Sequence, residues 1–89
     1  MAHLMIHHQV VNFDAWKPVF DAFEPNRHAM GGGPYKLFRS VDDSNEVVVV
    51  MEWDDIENAR AFAQSEDLRA AMQEAGVLGP PTIVFMEQE

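Results

Sequence analysis

The sequence predicts an α+β fold in which strands and helices follow the order βαββαβ. Three observations lead to this prediction. Four short segments have the pattern of strands, and in the first of them the side chains separate onto two faces with a period of two. Two other segments carry apolar side chains at helical spacing. The chain has 89 residues, of which 47% are hydrophobic and 24% charged, as expected for one globular domain over residues 1–89.

A strand and a helix are predicted at the start of the chain. In Leu4–Val11 the side chains separate onto two faces, and one face is apolar apart from a histidine: Leu4, Ile6, His8 and Val10. Aromatic side chains then recur on one helical stripe: Phe13, Trp16, Phe20 and Phe23. We expect a helix over Asp14–Glu24 that breaks there, because Pro25 lacks the N–H group that a helix interior needs. A looser turn through Met30 and a flexible glycine link, residues 31–33, should follow.

A hairpin is predicted in the middle of the chain. Tyr35–Val41 and Glu46–Trp53 have the pattern of strands, and Asp42-Asp43-Ser44-Asn45 between them is rich in side chains that bond their own backbone. The second strand is apolar on both faces, whereas one face of a hairpin strand is normally in contact with water. We therefore expect other parts of the protein to cover each face of Glu46–Trp53.

The last third of the chain predicts a second helical region and a final strand. Asp54-x-x-Glu57 resembles a capping box, which marks the start of a helix. A continuation is expected over Glu66–Ala75. The dipeptide Pro80-Pro81 excludes a further helix and should open a strand over Thr82–Glu87.

This order of elements is that of the ferredoxin-like arrangement, a four-stranded antiparallel sheet with two helices on one face. The opposite face of the sheet would be apolar and exposed, which is rare in monomers. Two such sheets packed face to face would cover each other, and a two-fold dimer is the commonest way to arrange this. We therefore expect a homodimer that forms a dimeric α+β barrel.

Composition and charge exclude several classes of protein. Six Lys and Arg against fifteen Asp and Glu give a net charge of −9, which repels nucleic acids and anionic membranes. The absence of cysteine excludes disulfide frameworks and thiolate chemistry, and fits a reducing cytoplasm. The longest apolar run, Val47–Met51, is too short for a membrane span, and Met1–Val10 has no Lys or Arg to suit a signal peptide. We therefore expect a cytoplasmic protein that binds neither nucleic acids nor membranes.

His8 is the candidate catalytic residue. It shares a strand face with apolar side chains, so its imidazole should lie in an apolar layer. A neutral imidazole in such a layer could accept a proton from a substrate near neutral pH. The alternative is a core histidine whose ring bonds a backbone carbonyl.

Four further residues are candidates for binding a small apolar or aromatic ligand: Trp16, Arg27, Tyr35 and Trp53. The two indoles could stack on a flat ligand, or they could simply fill the core. Arg27 lies about three helical turns after Trp16, so the aromatic stripe ends in a cation. That cation could hold an anionic group of a substrate or pair with a surface carboxylate. The Tyr35 hydroxyl would need a partner if it were buried.

No metal or cofactor site is predicted, and a metal site would require His8 together with His28 or a contribution from a second copy of the chain. His3 and His7 share a strand face but lie about 13 Å apart at roughly 3.3 Å per residue, too far to chelate one ion. His7 and His8 point to opposite faces. The glycines at 31–33 follow a helix and lack the Lys-Ser/Thr pair of a phosphate-binding loop.

Six strings form a pattern that extends over nearly the whole chain: His8-Gln9-Val10-Val11-Asn12-Phe13-Asp14-Ala15-Trp16, Pro25-Asn26-Arg27, Leu37-Phe38-Arg39, Glu52-Trp53-Asp54-Asp55, Ala59-Arg60-Ala61-Phe62 and Val77-x-Gly79-Pro80-Pro81. The pattern resembles small dimeric α/β-barrel proteins related to the antibiotic biosynthesis monooxygenase group. Members of this superfamily oxidise polycyclic aromatics without a cofactor, degrade haem, or cyclise and isomerise small molecules. The haem-degrading members carry a histidine late in the second helix, which Glu66–Ala75 lacks.

The resemblance implies cofactor-independent oxygenation, or a related proton transfer, on a small aromatic or polyketide-like molecule. In this interpretation His8 is the base, Trp16 and Trp53 line the pocket, and Arg27 or Tyr35 orients an oxyanion. Two alternatives remain open at this point. One is a non-catalytic binding or stress-response dimer that uses the same pocket. The other is a dimer whose cavity is filled by its own side chains.

Overall fold

The computed structural model describes residues 2–89 and contains one four-stranded sheet. Its elements follow the chain in this order: β1 (Ala2–Val10), α1 (Phe13–Ala22), α2 (Glu24–Met30), β2 (Gly32–Arg39), β3 (Glu46–Trp53), α3 (Ile56–Ala63), α4 (Glu66–Ala75) and β4 (Val77–Glu87). The strand order is β2-β3-β1-β4 and every neighbouring pair is antiparallel. The ferredoxin-like α+β fold is confirmed, with each helical region divided into two helices.

The two central strands, β1 and β3, form the floor of the core. Every second side chain on each of them is buried, as the period of two predicts. The largest fully buried side chains come mainly from these strands and from α3: Trp53, Phe62, Leu4, Met51, Val10, Val47 and Val49. His8 belongs to the same buried row of β1, so the strand itself carries the imidazole into the layer beneath the helices.

The first helical region is two helices rather than one helix and a loose turn. The Asn12 side chain caps α1, and Phe23 ends it. The predicted break near Glu24 is confirmed, but Glu24 is itself helical and starts α2. Pro25 lies in the first turn of α2, where its missing N–H has no helical partner to lose. The proline therefore ends one helix and begins another.

The glycine run is a fixed junction and not the flexible link expected from its composition. Gly31 closes α2 with a φ of +113°, a left-handed conformation that side chains disfavour. Its carbonyl accepts a hydrogen bond from the Asp54 N–H at 3.0 Å, and a Cβ at Gly31 would overlap the Asp54 carboxylate. Gly32 and Gly33 already belong to β2.

The second helical region starts one residue later than its sequence motif suggests. The N-cap of α3 is Asp55, whose Oδ1 accepts the Asn58 N–H at 2.8 Å. Asp54 instead accepts the Asp55 N–H at 2.7 Å. The bounds of α4 are as predicted, with a serine cap at its start and Gly76 in the left-handed conformation at its end. Within residues 2–89, no helix is long and apolar enough to cross a lipid bilayer.

Strand β4 begins at Val77, five residues before the predicted start at Thr82. It continues through Pro80-Pro81, which the sequence pattern placed before the strand. A proline cannot donate to a sheet ladder, but β4 is an edge strand, and edge strands and bulges tolerate it.

The sheet face away from the helices, the open face, is rich in apolar side chains. Strand pairing places seven of them there: Met5, Phe38, Val48, Val50, Leu78, Val84 and Met86. Phe38 is 51% and Leu78 52% exposed. The second apolar face of β3 is therefore present as predicted, through Val48 and Val50.

Candidate functional site

A small cavity lies between the sheet and the helices. Its walls come from β1, β3 and all four helices, and its lining is apolar or aromatic except for His8 and Arg27. Its volume is about 50 Å³. A water molecule needs about 10–15 Å³ of such space, and a cavity that accepts benzene has about 150 Å³. The cavity therefore has room for a few waters, and a flat aromatic ligand fits only if the helices move outward.

His8 is buried in the cavity wall without a hydrogen-bond partner. Its side chain is 7% exposed, and neither ring nitrogen bonds any group within residues 2–89. The backbone-bonded core histidine that the sequence left open is therefore not the arrangement observed. Burial lowers the pKa of His8 from 6.5 to about 4, and neighbouring His7 acts in the same direction. The ring is neutral at pH 7, with one nitrogen able to accept a proton.

A β-bulge lies directly opposite His8. In the pairing of β1 with β4, His7 faces Thr82 and Gln9 faces Leu78, so residues 79–81 are left across from His8. Gly79 has a φ of +69°. Bulges are common beside functional sites because they change the direction in which strand side chains point. Gly79, Pro80 and Pro81 thus interrupt the regular pairing of β1 with β4 opposite His8, the candidate base.

Trp16 belongs both to the core and to the cavity wall. It is 3% exposed, and its ring stacks on Phe20 with centroids 4.8 Å apart. The His8 ring lies 5.5 Å from the Trp16 ring, centroid to centroid. The two roles considered for Trp16 are thus compatible, since one side packs against aromatic neighbours while the residue still lines the cavity.

Arg27 is a buried cation without a carboxylate partner. It is 4% exposed, and no carboxylate of the described chain lies within 4.0 Å of it. Its Nη1 donates to the Phe20 carbonyl at 2.6 Å, while Nη2 is buried and unpartnered within residues 2–89. The guanidinium carbon lies 4.0 Å above the Phe20 ring and 5.6 Å from the Tyr35 ring. Burial lowers the pKa of Arg27, and the nearby Tyr35, Glu24 and Asp21 side chains partly offset this.

A second depression, the outer cleft, lies on the far side of Arg27 between α2 and β2. It has a volume of about 410 Å³ and is lined by Glu24, Arg27, His28, Gly32, Gly33, Pro34 and Tyr35. Arg27 is shared by the lining of the cavity and that of the outer cleft. Sequence reasoning missed this cleft. The only signal for it was a glycine run that directly follows a helix ending in a cation.

The other two predicted ligand-binding residues lie outside the cavity. Tyr35 is 37% exposed on the outer cleft, with its ring edge-on to Phe20 at 5.0 Å. Trp53 is fully buried against Phe62, with ring centroids 4.9 Å apart. The structure therefore brings His8, Trp16 and Arg27 together. In the part of the chain that the structure describes, no group of three or more metal-ligating side chains occurs.

Comparison with known protein families identifies the family of this chain. The family model for antibiotic biosynthesis monooxygenases matches residues 19–74, well over half of the chain. The chain belongs to the antibiotic biosynthesis monooxygenase family. The segment that the family model matches includes Arg27 but neither His8 nor Trp16. Comparison with curated protein sequences finds no match.

Solved structures share the fold of this family member over almost its whole length. An antibiotic biosynthesis monooxygenase superimposes with a TM-score of 0.75 at 19% identity, covering 100% of this chain and 99% of that chain. SnoaB from Streptomyces nogalater, described as a cofactor-independent oxygenase, has a TM-score of 0.78 at 14% identity, with coverages of 99% and 92%. A conserved protein from Methanosarcina mazei Go1 has a TM-score of 0.76 at 10% identity, covering 99% of this chain and 92% of that chain. At these identities the likeness concerns the fold.

Proposed function

We propose that this protein is a homodimeric, small-molecule-binding enzyme. It carries out cofactor-independent monooxygenation, or a related proton transfer, on a small aromatic or polyketide-like substrate. The observation that carries the proposal is His8, a neutral and unpartnered imidazole in a cavity whose other lining side chains are apolar or aromatic except for Arg27. A buried polar group without a partner costs about 1–3 kcal/mol, which a bound ligand would recover. Membership of the family and the fold shared with a cofactor-independent oxygenase support the same function.

The chemistry needs a substrate with an acidic C–H group next to an aromatic carbonyl or hydroxyl. His8 takes the proton, and the carbanion that remains is electron-rich enough to react with O₂. One oxygen atom becomes a carbonyl on the former CH₂ carbon and the other leaves as water, so no external reductant is consumed. A pKa near 4 makes free His8 a weak base. The negative charge that develops beside it raises that pKa, and the Arg27 guanidinium stabilises the same charge.

The function is tested with anthrone, whose CH₂ group fits this reaction. We expect O₂ uptake and anthraquinone formation by the wild-type protein, and a rate about 100-fold lower for His8→Gln, in the range of general base catalysis. Arg69→Gln, at an exposed position on α4 away from the cavity and the open face, is the control and should retain the wild-type rate. An equal rate in His8→Gln and wild type would exclude His8 as the base.

A non-catalytic binding protein is the second candidate, and the cavity volume favours it. About 50 Å³ leaves no room for an aromatic substrate unless the helices move outward, so a smaller ligand could be held without reaction. Anthrone that binds without O₂ uptake would support this candidate. Met72 in the wall of α4 has a flexible side chain that can move to admit a larger molecule.

The homodimer is proposed to form through the open face. Seven apolar side chains lie on this face, and a second copy is the partner that can cover them symmetrically. Light scattering at low micromolar concentration should give about twice the chain mass of 10.1 kDa. Val50→Lys, in the middle of the open face, should yield the monomer. Val41→Lys is the control, since Val41 is 99% exposed in the β2–β3 turn and should not change the mass. A wild-type monomer would contradict the proposal.

A cytoplasmic location completes the proposal. The chain has no cysteine to oxidise, which suits a reducing compartment. Its net charge of −9 disfavours nucleic acids and anionic membranes as partners. The partners that we propose are therefore a second copy of the chain and a small molecule.

A further inference from the structure

The cavity beside His8 has the size of a molecule with two heavy atoms. Its volume is about 50 Å³. A cavity of about 150 Å³ accepts benzene, whose ring consists of six carbon atoms. A third of that volume therefore has room for about two heavy atoms, which is the size of a dioxygen molecule.

The part of the cavity wall that comes from α3 and α4 is apolar. Its side chains are those of Phe62, Leu68, Ala71, Met72 and Ala75. A water molecule against them would meet no strong donor or acceptor, whereas a buried water needs about 2–4 polar partners. Dioxygen forms hardly any hydrogen bonds in water, so it loses none when it enters an apolar space. This side of the cavity therefore favours an apolar guest over water.

A groove on the outer surface of the helical layer, the helix groove, lies over the cavity between α1 and α4. Its volume is about 330 Å³, and it is lined by Pro18, Val19, Ala22, Phe23, Ala71 and Glu74. Three of these residues, Val19, Phe23 and Ala71, also line the cavity, and all three are half-buried. A single layer of side chains thus separates the two spaces. Ala71 is the smallest member of that layer, so a small molecule can pass from solvent to the cavity beside it.

We propose that the cavity is a dioxygen site in the resting protein and that O₂ enters it through the helix groove. His8 and Trp16 belong to the wall of the cavity, so a bound O₂ lies beside the candidate base before any substrate arrives. The inference rests on the proposed function only in the choice of gas, because O₂ is the co-substrate of that reaction. It adds where O₂ is held and by which route it enters.

The site is tested by NMR, because O₂ is paramagnetic and speeds the relaxation of nearby methyl protons. Val49 lines the cavity, whereas Val10 is equally buried and lies outside the cavity lining. Val10 is four residues along β1 from Ile6, the sheet partner of Val49, and thus about 13 Å away at roughly 3.3 Å per residue. If each oxygen atom gains about as much on burial as a methylene group, O₂ is enriched about tenfold in the cavity. In O₂-saturated solution, compared with N₂, the Val49 methyls should therefore show about ten times the relaxation enhancement of the Val10 methyls.

Two leucine substitutions on α4 test the cavity and its route. Ala71→Leu enlarges the side chain in the wall that the cavity shares with the helix groove, and should reduce the enhancement at Val49 to that at Val10. Ala70→Leu, at an exposed position on the same helix, is the matched control and should leave the difference unchanged. An unchanged Val49 enhancement in Ala71→Leu would place O₂ elsewhere and contradict the proposal. Should Ala71→Leu not fold, the wild-type comparison of Val49 with Val10 still decides.

The remaining outcomes separate this inference from the proposed function. Equal enhancement of the Val49 and Val10 methyls in the wild-type protein overturns the O₂ site. A nuclear Overhauser effect from water to the Val49 methyls, together with equal enhancements, shows a hydrated cavity and overturns it as well. The experiment contains no organic substrate, so its result does not depend on the anthrone assay. Enhancement at Val49 without O₂ uptake on anthrone supports the O₂ site and contradicts the proposed function, and uptake without that enhancement does the reverse.

Discussion

Trp16→Ala should lower the free energy of unfolding by about 3–5 kcal/mol, the usual cost of truncating a large buried aromatic. The ring is 3% exposed and has aromatic neighbours on several sides, including Phe20 at 4.8 Å and Phe13 at 5.7 Å. Total stabilities are typically about 5–15 kcal/mol, so the loss is large for a chain of 89 residues. Because Trp16 also borders an existing cavity, we expect the lower end of the range.

The measurement pairs urea unfolding with binding of 1-naphthalenemethanol. Loss of the folded state would indicate that Trp16 serves the core, and a folded variant that no longer binds the probe would indicate a cavity wall. A folded variant that binds as tightly as wild type would remove Trp16 from the site. Trp53→Ala is the matched control, since Trp53 is equally buried but lies outside the cavity. Trp53→Ala should destabilise the protein, but the molecules that remain folded should bind the probe as tightly as wild type.

The stability of the wild-type protein should fall by about 3 kcal/mol more than that of His8→Phe when the pH drops from 7.5 to 4. In the folded protein the pKa of His8 is about 4, against 6.5 for an ordinary histidine. Between these values the unfolded chain binds the proton and the folded chain does not, so acid favours unfolding. The contribution is fully present above pH 6.5 and is lost as the pH falls towards 4. At about 1.36 kcal/mol per pKa unit, the difference amounts to about 3 kcal/mol.

Urea unfolding of both proteins at several pH values measures this effect. All other titrating groups are shared, so their contributions cancel in the comparison. NMR titration of the His8 ring gives the pKa directly. Parallel stability curves, or a His8 pKa near 6.5, would show that the imidazole is accessible to water and would remove the basis for its role as a buried neutral base.

Much of the fold could be predicted because its signals are local. The period of two in β1, the unbroken apolar run of β3 and the aromatic stripe of α1 are each contained in a short stretch of sequence. The bounds of β3 and α4 therefore agree with prediction to the residue. The Pro25 break was predicted for the right reason. Its outcome, a second helix, depends on Gly31 and Asp54, which meet only in the folded chain.

In the candidate site, too, some features follow from local sequence and others depend on tertiary packing. The alternation along β1 determined that His8 shares a buried face. Helical spacing predicts one stripe for Trp16 and Arg27, but Trp16 belongs to α1 and Arg27 to α2, so the packing of the two helices brings both to the cavity. The cavity itself is a tertiary feature, because its volume depends on how closely α1 and α4 pack over the sheet. Trp53 has the same buried alternation as His8, yet its neighbour is Phe62 and not the cavity.

The sequence by itself thus determined the order of elements, the buried rows and the negative charge of this protein, since each follows from neighbouring residues or from composition. The tertiary structure alone decided that residues 79–81 bulge opposite His8 and that Arg27 is buried without a carboxylate. Both depend on strand pairing and helix packing between segments far apart in the chain. Register and packing are set by the sum of many distant contacts, and no single stretch of sequence contains that sum.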